Sequence, residues 1–170
     1  MLAQPLYQII QVNHLELSNT QIGYARVAYF TCLLVSYFVV GGIIDRLSAK
    51  HTVACGLAAF SIVPLFYAIF GNYPSVLIGS GVQGIGDAIW DIGFLAYVFR
   101  LAPGREAVVF GLHLMLFGVR GTIGPLLSTY LSGELPIADL LYSASLFGWI
   151  GLLSFSVYAW KTKTKPATGL

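Results

Sequence analysis

The apolar positions of the chain fall into long stretches that are separated by short polar breaks. A helix needs roughly 20 apolar residues to cross the hydrocarbon core of a bilayer, and five stretches reach that length. They lie at about 22–44, 52–70, 75–99, 107–131 and 140–160. The breaks hold glycine, proline, asparagine and charged residues, which are typical of turns. The pattern therefore predicts an all-α fold, a polytopic transmembrane helix bundle with five full spans.

The first 14 residues, MLAQPLYQIIQVNH, are apolar but too short to cross a bilayer. We interpret residues 1–14 as the last part of a partial first helix, and a re-entrant or interfacial segment is the alternative. Ser18 or Asn19 is the expected N-cap of the first full span. The domain prediction is one transmembrane half-domain over residues 1–160, followed by a basic tail over 161–170.

Composition agrees with this prediction and excludes several classes of protein. Charged residues make up 9% of the chain, whereas a soluble domain carries roughly 25%, so the lipid bilayer is the expected surroundings. The net charge of +2 gives no electrostatic support for nucleic-acid binding. Cys32 and Cys55 lie in apolar runs without metal-ligand spacing, and we expect both to be buried and no metal to bind. Enzyme and cofactor motifs are absent from the sequence, so neither catalysis nor a cofactor is expected.

The basic residues predict an orientation in the membrane. Seven of the nine lysines and arginines lie in alternate breaks or in the tail. These are Arg46, Lys50, Arg100, Arg105, Lys161, Lys163 and Lys165. The opposite breaks carry Glu134 and Asp139 instead. Because cytoplasmic loops carry the excess of basic residues, we expect a multi-pass protein of the plasma or inner membrane with a cytoplasmic C-terminus.

Polar side chains interrupt the third full span. Asp87 and Asp91 are four residues apart and share one helical face, with Gln83 one turn earlier and Trp90 deep in the same span. An aspartate near the middle of a bilayer costs roughly 2.5–3.5 kcal/mol on insertion scales. We therefore expect both carboxylates to face the interior of the bundle, and Trp90 either to face a cavity or to pack against a neighbouring helix.

The fourth span offers partners for these carboxylates, because His113 and Arg120 are seven residues apart and share a face. Counting roughly 1.5 Å per residue from the ends of the two spans pairs Asp87 with Arg120 and Asp91 with His113. One interpretation is a substrate or proton pathway through the membrane. The other is a static set of salt bridges that neutralises buried charges.

Arg26 lies near the start of the first full span. Its side chain is expected to extend to the membrane interface, as long basic side chains do near span ends. Contact with an anionic substrate is the alternative.

The first break contains the sharpest motif, GGIIDRLSAK. It resembles the loop motif G-x-x-x-D-R-x-G-R-[RK] between the second and third helices of each half of major facilitator superfamily transporters. The matching positions are Gly41, Asp45, Arg46 and Lys50. Ser48 and Ala49 depart from the motif and weaken its charge network. The resemblance implies a cytoplasmic latch, and simple anchoring by basic residues is the alternative.

The resemblance extends over the whole chain, and the fourth full span is similar to the C-terminal half of such transporters. The similarity lies in His113 followed by GVRGTIGP, which holds Gly118, Gly121, Gly124 and Pro125. These residues are expected to thin or bend the helix for close packing or rocking. An N-terminal half that ends at the central loop is the alternative.

The resemblance implies a fragment of a secondary active transporter, a symporter or antiporter, that moves a small-molecule substrate by alternating access. Intramembrane carboxylates and a histidine make protons the expected coupling ion. The missing other half, or a second copy of the chain, is the implied partner. The competing classes are a non-transporting scaffold or sensor subunit and a homodimerising half-transporter.

Overall fold

The computed structural model describes residues 3–43, 49–101 and 103–161, and these ranges form helices and turns without strands. The helices are α1 (Ala3–Ile9, continued by a π-helical turn at Ile10–His14), α2 (Asn19–Ile43), α3 (Ala49–Phe70), α4 (Tyr73–Leu101), α5 (Glu106–Leu131) and α6 (Ile137–Lys161). The predicted all-α transmembrane bundle is thereby confirmed.

Each of the five long helices begins one to three residues before its predicted start, because polar residues at the helix ends continue the helical hydrogen bonding. At α2, the Ser18 N–H donates to Gln21 Oε1 at 2.9 Å, and the Gln21 N–H donates to Ser18 Oγ at 3.3 Å. This reciprocal pair is a capping box. At α4, the Ser75 N–H donates to Asn72 Oδ1 at 3.0 Å. Asn72 follows Gly71, whose φ of +47° ends α3.

Among the described residues, four helices are long and apolar enough to cross a membrane by length and composition: α2, α3, α5 and α6. The remaining long helix, α4, has 29 residues, which is roughly 44 Å at 1.5 Å per residue. Gln83, Asp87 and Asp91 interrupt its apolar stretch, along with several glycines. The longest helix is therefore the one that carries two aspartates in its middle.

Four of the long helices form a row in the order α2, α4, α3, α6, in which each helix packs along its neighbour. We refer to these four helices as the packed row. Glycines of α4 allow the close approach on both sides. A Cβ atom at Gly84 would collide with the backbone carbonyl of Tyr29 on α2, and one at Gly86 would lie 2.8 Å from Ala59 Cβ on α3. Small residues at such contacts are the usual means of packing helices in membranes.

The hydrophobic core lies at the end of the bundle where α2, α4 and α6 begin and α3 ends. Its buried residues are Ala3, Leu6, Tyr7, Ile10, Ala25, Val63, Tyr67, Val76, Leu140 and Leu141. Helix α1 and the π-helical turn that continues it supply the first four of these. The Tyr7 ring stacks on Tyr67 of α3 with 4.3 Å between centroids. The short first helix is therefore anchored in the bundle by its apolar face.

Helix α5 stands apart from the packed row. It contacts α1 and α4 over short lengths, and none of its apolar stretch is buried within the described chain. Large side chains such as Val108, Leu126 and Tyr130 are mostly exposed. One end of α5 nevertheless reaches the interior of the bundle, because Pro125 lines a cavity there.

Candidate solute cavity and intramembrane carboxylates

A cavity of about 310 Å³ lies beside α1, between the helices that surround it. Its lining is mostly polar. The residues that line it with polar side chains are Gln4, Tyr7, Gln8, Gln11, Arg26, Tyr29, Tyr67, Ser80 and Gln83. Clefts between the helices of a bundle are a usual place for ligand sites.

Helix α1 contributes the largest group of polar side chains to this cavity. Gln4 and Gln8 are four residues apart on one face of α1, and Gln11 follows in the π-helical turn that continues it. The Gln11 side-chain amide donates to the Tyr67 hydroxyl at 3.3 Å, and this hydroxyl lies 3.4 Å from Ser80 Oγ. The amide face of α1 is thus tied to α3 and α4 by hydrogen bonds.

Asp87 lies next to the cavity and is joined to it by a tyrosine. The Tyr29 hydroxyl donates to Asp87 Oδ2 at 2.7 Å, and Tyr29 itself lines the cavity. Asp87 is half-buried. One turn further along α4, the Tyr37 hydroxyl donates to Asp91 Oδ2 at 2.8 Å, but Asp91 is exposed. Both bonds cross the contact between α2 and α4.

The predicted pairing of Asp87 with Arg120 and of Asp91 with His113 is wrong. In the part of the chain that the structure describes, both carboxylates accept hydrogen bonds from tyrosines of α2. The prediction assumed that consecutive spans pack side by side. Instead, α4 packs along α2 and α3, and α5 contacts it only briefly.

Within the part of the chain that the structure describes, His113 takes part in a group of aromatic rings and not in an ion pair. Its ring lies 3.9 Å from that of Phe94 on α4, measured between centroids, and 6.3 Å from that of Phe117. The Arg120 guanidinium lies over the Phe117 ring at 5.0 Å, a cation–π contact. Trp90 lies against Phe60 of α3 with 5.9 Å between ring centroids, and it stacks on Phe94 of its own helix at 5.6 Å. Of its two expected positions, Trp90 therefore has the one against a neighbouring helix.

The residues of the predicted loop motif are only partly described. Asp45 and Arg46 lie outside the described residues, as do residues 162–170 of the predicted basic tail. Gly41 is exposed. The Lys50 ammonium donates to the Ala159 carbonyl at 3.1 Å, near the end of α6. This bond satisfies one of the carbonyls that a helix end leaves without an intrahelical partner.

The expected roles of small residues have mixed outcomes. A Cβ atom added at Gly118 or Gly121 would meet nothing within 4 Å in the described chain, so their role in packing stays a prediction. Cys32 is half-buried, but Cys55 is exposed. The expectation that Cys55 is buried is wrong, because an apolar side chain of a membrane helix satisfies the hydrophobic effect equally well on the outer face.

Sequence reasoning overlooked Tyr29 and Tyr37 as carboxylate partners and the three glutamines of α1 as cavity residues. The glutamine spacing was a usable signal, since amides on one face of an apolar segment need polar surroundings. The tyrosines gave no such signal, because aromatic residues are common throughout the spans.

The long apolar helices define a polytopic helical membrane protein with a polar cavity and a carboxylate beside it. The family model of the Major Facilitator Superfamily matches residues 1–169, which is almost the whole chain. The chain therefore belongs to the Major Facilitator Superfamily, and the predicted resemblance is confirmed. Searches of curated proteins and of solved structures gave no match.

Proposed function

We propose that this chain serves in secondary transport by alternating access, that a small solute binds in the cavity beside α1, and that Asp87 carries a coupling proton. Membership of the superfamily supports the class of transporter. The position of Asp87 carries the proposal for coupling.

The central observation is that Tyr29 contacts both the cavity and Asp87. A solute in the cavity would lie next to Tyr29, one side chain away from the carboxylate. An intramembrane carboxylate is costly when charged. A carboxylate beside a ligand cavity can therefore bind or release a proton when the solute binds. The bond from Tyr29 to Oδ2 is compatible with both protonation states, since a proton on Oδ1 leaves Oδ2 free to accept.

The exposed apolar side chains of α5 support the proposal that a second protein surface packs there and closes the cavity. This surface is either another half of the transporter or a second copy of the chain. Arg120 lies within this apolar helix and is exposed, with its guanidinium over the Phe117 ring of the same helix. A cation facing lipid within the bilayer is costly. Gly118 and Gly121 leave room on the same helix for a close neighbour.

The coupling role of Asp87 is tested with the variant Asp87→Asn in proteoliposomes that contain the transporter. A pH-sensitive dye in the lumen reports proton movement when each member of a panel of sugars, amino acids and carboxylates is added outside. We expect at least one solute to move protons with the native protein. Asp87→Asn removes the titratable group but retains a hydrogen-bond acceptor, so it is expected to abolish this proton movement.

Glu134→Gln is the matched control, because Glu134 is an exposed carboxylate in the turn between α5 and α6. It should behave like the native protein. Proton movement that persists in Asp87→Asn would exclude Asp87 as the coupling group. The absence of movement of labelled solute in every member of the panel would instead favour a scaffold or sensor subunit.

A further inference from the structure

The charge of the cavity is set by one side chain. Among the described residues that line it, Arg26 is charged, while the others are neutral amides, hydroxyls, aromatic rings or aliphatic groups. No carboxylate belongs to that lining. The described side chains that line the cavity therefore carry one positive charge and no negative charge.

Arg26 is available to a ligand. In the described part of the chain it forms no ion pair, and Asp87, the carboxylate beside the cavity, already accepts a bond from Tyr29. Arg26 lies seven residues after the start of α2, roughly 10 Å along the helix. A guanidinium presents several N–H donors in a planar fork that matches a carboxylate.

The neutral groups around Arg26 are suited to hydroxyls. Gln4, Gln8 and Gln83 each offer an amide donor and a carbonyl acceptor. A hydroxyl group also donates and accepts, so it can satisfy either partner. A purely apolar anion would make no hydrogen bond with these amides, whereas a hydroxylated anion can bond to them.

We infer that the cavity takes a small hydroxylated carboxylate, with its carboxylate against Arg26 and its hydroxyls on the glutamine side chains. This substrate class rests on the proposed function of the cavity. The volume of about 310 Å³ corresponds to roughly ten water-sized groups at about 30 Å³ each. That is the size of a hydroxy acid or a sugar acid, and it is at the small end of ligand cavities.

Binding to the purified, detergent-solubilised transporter tests this inference without requiring transport. The probes are matched pairs, glycerate with glycerol and gluconate with sorbitol, and the readout is the midpoint of thermal unfolding. At a few times its Kd, a bound carboxylate should raise the midpoint by roughly 2–4 °C. The uncharged alcohols should not raise it, because they lack the group that pairs with Arg26.

The variant Arg26→Gln should lose the shift, and Arg26→Lys should retain part of it, because lysine keeps the charge but not the planar fork. Arg105→Gln is the matched control, since Arg105 is an exposed arginine at the start of α5, away from the cavity. It should shift like the native protein.

Equal shifts with carboxylates and alcohols, or no shift with any carboxylate of the panel, would overturn the inference. A carboxylate shift that survives in Arg26→Gln would also overturn it. The native comparison of acids with alcohols stands even if the variants do not fold. Because binding is measured without a pH gradient, a failure of Asp87 as the coupling group would leave this result unchanged.

Discussion

Helices α4 and α5 are both long and both rich in glycine, yet their glycines meet different surroundings. On α4, added Cβ atoms would contact α2 at Gly81 and Gly84 and α3 at Gly86. On α5, added Cβ atoms at Gly118 and Gly121 would meet nothing within 4 Å. The same residue type therefore allows close helix packing in α4 and has open space beside it in α5.

This difference teaches that a glycine in a membrane helix identifies a close contact only where a second helix is present. The glycines of α4 have their partners within the chain. Those of α5 lie on a helix whose apolar stretch is unburied. Their proposed partner is the second protein surface that closes the cavity.

The largest expected effect is that of Gly84→Ala in α4. The added methyl group would collide with the Tyr29 carbonyl, and a backbone atom cannot move aside as a flexible side chain can. We expect the free energy of unfolding to fall by about 2–3 kcal/mol, the upper range for overpacking. Unfolding in mixed detergent and SDS micelles measures this change.

Gly121→Ala is the matched control on α5, where the added methyl group has open space. It is expected to change the free energy of unfolding by less than about 0.5 kcal/mol, and alanine is the better helix former. If the two variants were equally destabilised, the contrast between the packed row and α5 would be wrong.

A smaller effect is expected from Tyr29→Phe, which removes the hydroxyl that binds Asp87. A half-buried carboxylate would lose its donor, and hydrogen bonds to charged groups contribute roughly 1.5–3 kcal/mol in soluble proteins. Bonds between membrane helices are weaker on average, so we expect a loss of about 1–2 kcal/mol, measured by the same unfolding assay.

Tyr130→Phe supplies the comparison on α5, since the Tyr130 side chain is 71% exposed. We expect no more than about 0.5 kcal/mol of change there. A Tyr29→Phe protein as stable as the native one would show that the bond between α2 and α4 contributes nothing to folding. Its influence on Asp87 would then be confined to coupling.

The sequence was sufficient to predict the long helices, since apolar length and turn residues are local properties. It also drew attention to Gln83 and Pro125, which the structure places in the cavity lining. For Arg26, the sequence left two roles open, extension of the side chain to the membrane interface and contact with an anionic substrate. The structure adds that the Arg26 side chain lines the cavity.

The partners of the intramembrane carboxylates were beyond sequence reasoning. Which helices lie side by side depends on the packing of the whole bundle, and α2 reaches α4 although α3 lies between them in the sequence. Depth in the membrane placed Asp87 level with Arg120, but depth alone does not fix the neighbour. Tyr29 could be identified as the hydrogen-bond donor to Asp87 only once the contact between α2 and α4 was known.

The smallest expected effect compares two hydroxyls that both bind a backbone carbonyl. The Ser145 hydroxyl of α6 donates to the Ser61 carbonyl of α3 at 2.6 Å and is buried, so it joins two helices of the packed row. The Thr122 hydroxyl of α5 donates to the Gly118 carbonyl of its own helix at 3.1 Å and is exposed.

An interhelical bond within a membrane protein contributes roughly 0.6 kcal/mol on average, whereas a bond within one helix adds nothing to tertiary packing. Ser145→Ala should therefore lower the free energy of unfolding by about 0.5–1 kcal/mol, and Thr122→Ala should not lower it. A larger loss from Thr122→Ala would show that α5 is held within the chain more tightly than its open surface indicates.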